Sequence, residues 1–188
     1  MNPLGGPVGV LALQGDFARH SALLGSLGFE AAEVRTAAEL NAYSGLVMPG
    51  GESTTIRKGI DRDGLAEPLK SFVDSGRPIL GTCAGMVLMG REHLGLIDMS
   101  VERNAYGRQI HSFETDVEVN GVEGSPVRAL FIRAPIVREV GLDVEVLGSF
   151  DDTPVAVRQG NAVAISFHPE LIGDARIHEL AFRGVSRT

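Results

Sequence analysis

The hydrophobic pattern changes character midway along the chain. In the first half, short apolar runs alternate with segments whose apolar positions recur at helical spacing. Val8 to Leu13 reads as a buried strand. Phe17 to Leu27 reads as a helix, with Phe17, Leu23, Leu24 and Leu27 on one side. Phe29 to Val34 reads as a second strand. Thr36 opens a short helix running to Tyr43, and Glu39 three residues later completes a capping box. The strand Leu46–Met48 precedes helices over Ser53–Ile60 and Leu65–Ser75, the latter closed by Gly76. Pro78-Ile79-Leu80 reads as a strand and Ala84 to Gly90 as a helix. Beyond it the period shortens to two. Glu114–Val119, Val127–Ile132, Val144–Phe150, Pro154–Arg158 and Ala162–Phe167 read as strands, and Asp174–Phe182 as a terminal helix. Alternation followed by a strand-rich half predicts an α/β fold. It consists of a doubly wound, mostly parallel sheet flanked by helices, with a strand-rich C-terminal half on the same core.

Composition narrows the function classes. A chain of 188 residues fits one domain, residues 1–188, large enough to bury about 70% of its unfolded surface. The net charge of −7 argues against nucleic-acid binding and against a polybasic membrane anchor. One cysteine forbids an internal disulfide and points to the cytoplasm. Met1 to Gly6 is too short for a signal peptide, and no apolar run approaches membrane-spanning length.

That cysteine lies in Gly81-Thr82-Cys83-Ala84-Gly85, between a strand and a helix. A small-x-Cys-x-small turn there is the cysteine form of the G-x-S-x-G nucleophile elbow. The turn is too sharp for bulky neighbours, and a helix N-terminus favours negative charge on the sulfur. A base is offered by His168-Pro169-Glu170 after the strand Val163–Phe167. In extended geometry residues two apart share a side, so Glu170 can reach the His168 ring and fix its tautomer. Pro49-Gly50-Gly51-Glu52-Ser53 follows a third strand, and paired glycines can turn backbone N–H groups towards an oxyanion. Each motif alone has an ordinary reading. These are a buried small thiol, a solvated turn, and a glycine loop leading into a helix capped by Ser53 or Thr54. Together, at the C-terminal ends of strands where ligands bind in such sheets, they favour nucleophilic catalysis. His20, His93, His111 and His178 show no metal-ligand spacing, so no metal or cofactor is expected.

With Ala12-Leu13-Gln14-Gly15-Asp16, Arg103-Asn104-Ala105-Tyr106-Gly107-Arg108-Gln109 and Phe131-Ile132-Arg133-Ala134-Pro135, these motifs run nearly the length of the chain. In that order they resemble the class I, triad-type glutamine amidotransferases. Within that class the chain is most similar to the glutaminase subunits of the two-protein pyridoxal 5′-phosphate synthase. The resemblance implies a flavodoxin-like fold and a triad of Cys83, His168 and Glu170. It implies an oxyanion hole from the Gly51 and Ala84 amides, and L-glutamine held by Gly50, Gly51, Glu52, Arg103, Ile132 and Arg133. It also implies a partner synthase of (β/α)8-barrel type that receives the ammonia, docked near the mouth of the elbow. Phe17–Arg19 and Arg103–Gln109 are candidate docking stretches. A glutaminase serving a different synthase is the alternative; the Arg103–Gln109 segment argues against it.

Overall fold

The structure is a computed structural model and describes residues 2–103 and 112–183. Strands and helices alternate through β1 (Val8–Leu11), α1 (Phe17–Ser26), β2 (Ala31–Val34), α2 (Ala37–Leu40), β3 (Gly45–Met48), α3 (Ser53–Arg62), α4 (Ala66–Asp74), β4 (Ile79–Thr82) and α5 (Ala84–Met89). Then come β5 (Met99–Glu102), β6 (Ser112–Val117), β7 (Val127–Ile132), β8 (Ile136–Val140), β9 (Glu145–Phe150), β10 (Thr153–Gln159) and β11 (Ala162–Ile165). Two helices close the described chain, α6 (Pro169–Ile172) and α7 (Arg176–Arg183).

Among the described residues, seven strands form the main sheet in the order β2-β1-β3-β4-β11-β10-β9. The first five are parallel, and β10 and β9 are antiparallel. Strands β1, β3, β4 and β11 are covered on both faces, and every residue in them is buried. That is why they read as continuous apolar runs rather than alternations. Edge strand β2 carries exposed Ala32 and Glu33 and spans Ala31–Val34 against the expected Phe29–Val34, because the Phe29 amide is bonded back to the Leu24 carbonyl in the turn after α1. The pleat divides the core in two. Val10, Val47, Leu80 and Val163 are in register across the sheet and pack with Leu24, Phe29, Phe167 and Phe182. Leu46, Met48 and Ile79 face the other way, onto Ile56, Ile60, Leu65, Leu69 and Phe72 of the α3–α4 layer.

Turn chemistry sets several boundaries as expected. The Thr36–Glu39 capping box forms at the start of α2, and Gly76, at φ +79°, ends the segment carrying α4. Asp151 and Asp152, at φ +46° and +59°, make the two-residue hairpin between β9 and β10.

The strand-rich half departs from the sequence reading in two respects. β6 and β7 pair with each other as a separate two-stranded sheet rather than extending the main one, and Phe113 stacks on Phe131 at 4.7 Å between ring centres. β5 and β8, which the pattern did not predict, form a further antiparallel ribbon. Only part of each is buried. Met99 and Val137 reach the core while Glu102 and Arg138–Val140 are exposed, so the apolar alternation is too brief to register.

Glycine substitution tests where the backbone approaches are tight. A Cβ on Gly85 would run into the Met48 carbonyl oxygen of β3, whereas one on exposed, helical Gly25 would meet nothing within 4 Å. Gly85→Ala is expected to lower the stability measured by urea unfolding by about 1–3 kcal/mol. Gly25→Ala is expected to raise it by roughly 0.5–1 kcal/mol.

Candidate active site

A cleft of about 570 Å³ opens at the C-terminal ends of β1, β3, β4 and β11. Its lining includes Gln14, Gly50, Gly51, Glu52, Cys83, Ala84, Arg103, Ile132, Arg133, His168 and Glu170, so every catalytic, oxyanion-hole and substrate residue expected from the sequence lies at one site, while the docking stretch Phe17–Arg19 lies outside it.

Cys83 sits at φ +48°, ψ −104°, a conformation L-residues rarely adopt, between the end of β4 and the first turn of α5. Its amide donates to the Ile165 carbonyl at 2.8 Å, and its own carbonyl accepts from Val87 at 3.2 Å. The backbone is therefore fixed on both sides while the side chain projects into the cleft. The Ala84 amide lies in the first turn of α5, where an N–H has no acceptor within the helix. That leaves it available to an oxyanion.

His168 arrives from β11 and is tied by its amide to Leu130 of β7 at 2.9 Å. Its Nδ1 lies 2.6 Å from Glu170 Oε1. The contact does not arise from extended backbone, as the sequence reading had it. His168 is the N-cap of α6, Pro169 starts that helix, and Glu170 lies in its first turn. The proline forces the turn that folds the carboxylate back under the imidazole. Burial disfavours a charged His168, yet hydrogen bonds to Cys83 and Glu170, and their negative charge, raise its pKa to about 10. Its partners are thus the sulfur and, through Nδ1, the carboxylate, both of which favour the protonated ring.

The glycine pair is packed as tightly as the motif requires. A Cβ on Gly50 would strike the His168 ring and lie 3.4 Å from Cys83 Cβ; one on Gly15 would strike the Gly50 carbonyl oxygen. Gly51 adopts φ +147°. The Gly50 amide donates to Thr82 Oγ1 at 3.0 Å, and the Glu52 amide to Gln14 Oε1 at 2.6 Å.

Glu52, rather than Ser53 or Thr54, caps α3. Its carboxylate accepts from the Thr54 and Thr55 amides at 3.0 and 2.8 Å, and bonds to the Thr55 hydroxyl and these amides lower its pKa to about 2. Arg103 Nη1 donates to Ser53 Oγ and Thr54 Oγ1, both at 3.1 Å, which sets its guanidinium at the cleft. Arg133, at φ +44°, follows β7 directly and lines the same cleft, next to Ile132. Asn104–Gln109 and His111 lie outside the described residues.

Gln14 and Thr82 were not singled out as site residues. Gln14 follows the end of β1 as Gly50 follows β3, and that position was the available clue. Thr82, inside the elbow, is fully buried and gave none.

Comparison with known proteins bears on this geometry. The model of the SNO glutamine amidotransferase family matches residues 10–187. A protein of Dehalococcoides mccartyi named pyridoxal 5′-phosphate synthase subunit PdxT is 52% identical, over 91% of this chain and 93% of its own. One of the same name from Frankia alni is 50% identical, over 94% of each. A solved glutamine amidotransferase superposes with a TM-score of 0.89 at 46% identity, over 96% of this chain and all of that one. The PurLQS structure from Thermotoga maritima, at 18% identity and TM-score 0.71, shares the fold. The chain belongs to the SNO glutamine amidotransferase family.

Proposed function

We propose that Cys83, His168 and Glu170 hydrolyse the side-chain amide of L-glutamine, and that this chain is the glutaminase subunit of a pyridoxal 5′-phosphate synthase. The observation that carries the reading is the His168 ring, with Nδ1 2.6 Å from Glu170 Oε1, in the one cleft that Cys83 also lines. The relatives at 50–52% identity bear the name of that synthase's subunit. A glutaminase of another synthase is therefore disfavoured.

The chemistry follows from the groups present. The Cys83 sulfur attacks the amide carbon, and the resulting oxyanion accepts hydrogen bonds from the Gly51 and Ala84 amides. His168 gives its proton to the departing nitrogen, which leaves as ammonia, and a γ-glutamyl thioester remains on Cys83. The neutral ring then takes a proton from water, which attacks the thioester. Glutamate leaves when the tetrahedral adduct collapses, and the sulfur and the ring return to their starting state. Glu170 holds the ring's other nitrogen throughout. Free glutamine carries an α-carboxylate and an α-ammonium. Arg103 and Arg133 suit the carboxylate, because a guanidinium can hold it bidentately. The backbone of Gly50-Gly51-Glu52 and of Ile132 completes the substrate contacts.

Ammonia released into water is lost as ammonium, so the reaction is useful when a synthase of (β/α)8-barrel type receives it. The described residues contain no helix long and apolar enough to cross a membrane, and a cytoplasmic complex fits the single free cysteine. Docking has a device to act on. The Gly50 amide is anchored by Thr82 while Gly51 carries no side chain, so the peptide between them can rotate about a fixed point.

With synthase and glutamine present, Cys83→Ala is expected to abolish product formation, and added ammonium salts to restore it. Failure of ammonium to restore it would contradict the division of labour. Ammonia release by the wild-type chain is expected to rise when the synthase is added; equal rates with and without it would remove the gating role of the glycine pair.

A further inference from the structure

Two fully buried histidines, from helices at opposite ends of the chain, lie behind the triad. His20 of α1 and His178 of α7 meet through Nδ1 and Nε2 at 2.8 Å. The other nitrogen of His20, Nε2, is 3.3 Å from Thr82 Oγ1 and 3.7 Å from Glu170 Oε2. Neither Glu170 Oε2 nor His178 Nδ1 has a hydrogen-bond partner among the described residues. Such groups seldom stay unmet when buried, and an imidazole set between a threonine hydroxyl, a second imidazole and an unpaired carboxylate oxygen requires an account.

Proton positions follow from the acceptors. Thr82 Oγ1 already accepts from the Gly50 amide and has a second lone pair free. A lone pair on His20 Nε2 would oppose the Glu170 carboxylate, whereas an N–H there donates to Thr82 Oγ1 at 3.3 Å and turns its positive end towards Glu170 Oε2 at 3.7 Å. With Nε2 protonated, His20 Nδ1 must accept, so His178 Nε2 donates and the open His178 Nδ1 is a lone pair. That is less costly than an orphaned N–H. Asp174 acts on His178 electrostatically from the loop before α7 but forms no ion pair with it within 4.0 Å, so the nearer Glu170 sets the direction. Burial, then the neighbouring His178 and His168, hold His20 well below its ordinary pKa, and burial takes His178 down to about 4. Each ring thus carries a single proton at neutral pH.

We propose that His20 is a positioning residue for amide hydrolysis: its Nε2–H, fixed by His178, donates to the Thr82 hydroxyl that anchors Gly50 and sets a positive edge against the outer oxygen of Glu170. One imidazole then couples the carboxylate that orients His168 to the loop that supplies the oxyanion donor. The proposal rests on the triad reading above.

The test compares glutaminase kinetics of the synthase complex for wild type, Cys83→Ala, His20→Leu and His20→Gln. The glutamine side chain can place an N–H where Nε2–H stands; leucine cannot. The expected result is a roughly 10–100-fold fall in kcat for His20→Leu, with KM for glutamine nearly unchanged, and recovery of most of the loss in His20→Gln. Wild-type turnover in His20→Leu, or equal losses in both variants, would overturn the proposal. Full turnover in Cys83→Ala would instead overturn the triad reading on which it stands. Ring-nitrogen NMR of the wild-type chain tests the same point without a variant. An Nε2–H tautomer of His20 is expected, and an Nδ1–H tautomer would overturn the proposal.

Discussion

The site depends on the backbone of one residue being held where it would not go by itself. Cys83 at φ +48°, ψ −104° carries strain on the order of 1–3 kcal/mol. The surrounding structure over-determines that conformation. Strand β4 is paired on both sides, with β3 and β11, and the Cys83 amide is bonded across to Ile165. Every residue of α5 is buried against the core. Release of the strain would unpair the centre of the sheet or expose that helix, and either loss exceeds the gain. The elbow also fixes distances. Gly85 lets α5 approach the end of β3 so closely that the Met48 carbonyl leaves no room for a methyl group, and the residues that follow that strand are Pro49, Gly50 and Gly51. Proximity of nucleophile and glycine pair is therefore a packing consequence of the turn.

Parallel topology supplies the rest. Neighbours β3, β4 and β11 all end at the same edge of the sheet, so chain segments 32 and 85 residues from Cys83 in sequence, at Gly51 and His168, converge on it. Their convergence in a mostly buried site changes the electrostatics. Burial alone would keep His168 neutral. Contact with the sulfur on one face and Glu170 on the other outweighs that penalty, and the charged ring becomes the stable form.

Much of this was legible in the residues. The central strands were visible as unbroken apolar runs because both their faces are covered, and the three motifs could be placed at their ends. The legible features were local ones: an elbow flanked by small residues, a glycine pair, a capping box. What the pattern concealed depended on tertiary context. β5 and β8 are half-exposed and short, so their alternation carried little weight. The contact of Glu170 with His168 was expected from strand geometry and is made instead by a helical turn, because Pro169 favours helix initiation and the chain must leave the sheet there. The side chains behind the site, His20, Thr82 and His178, come from three separate elements, and their meeting is set by how α1 and α7 pack beneath the sheet's edge. No spacing along the chain encodes that meeting.

Covalent labelling tests the account most directly. A diazo-ketone analogue of glutamine, presented to the complex of this chain with its synthase, should alkylate Cys83 alone, as read by peptide mass spectrometry. Excess glutamine should prevent the reaction, and modification should track loss of glutaminase activity. Inactivation with Cys83 unmodified, or a folded and active complex whose Cys83 does not react, would contradict the assignment of this sulfur as the activated nucleophile.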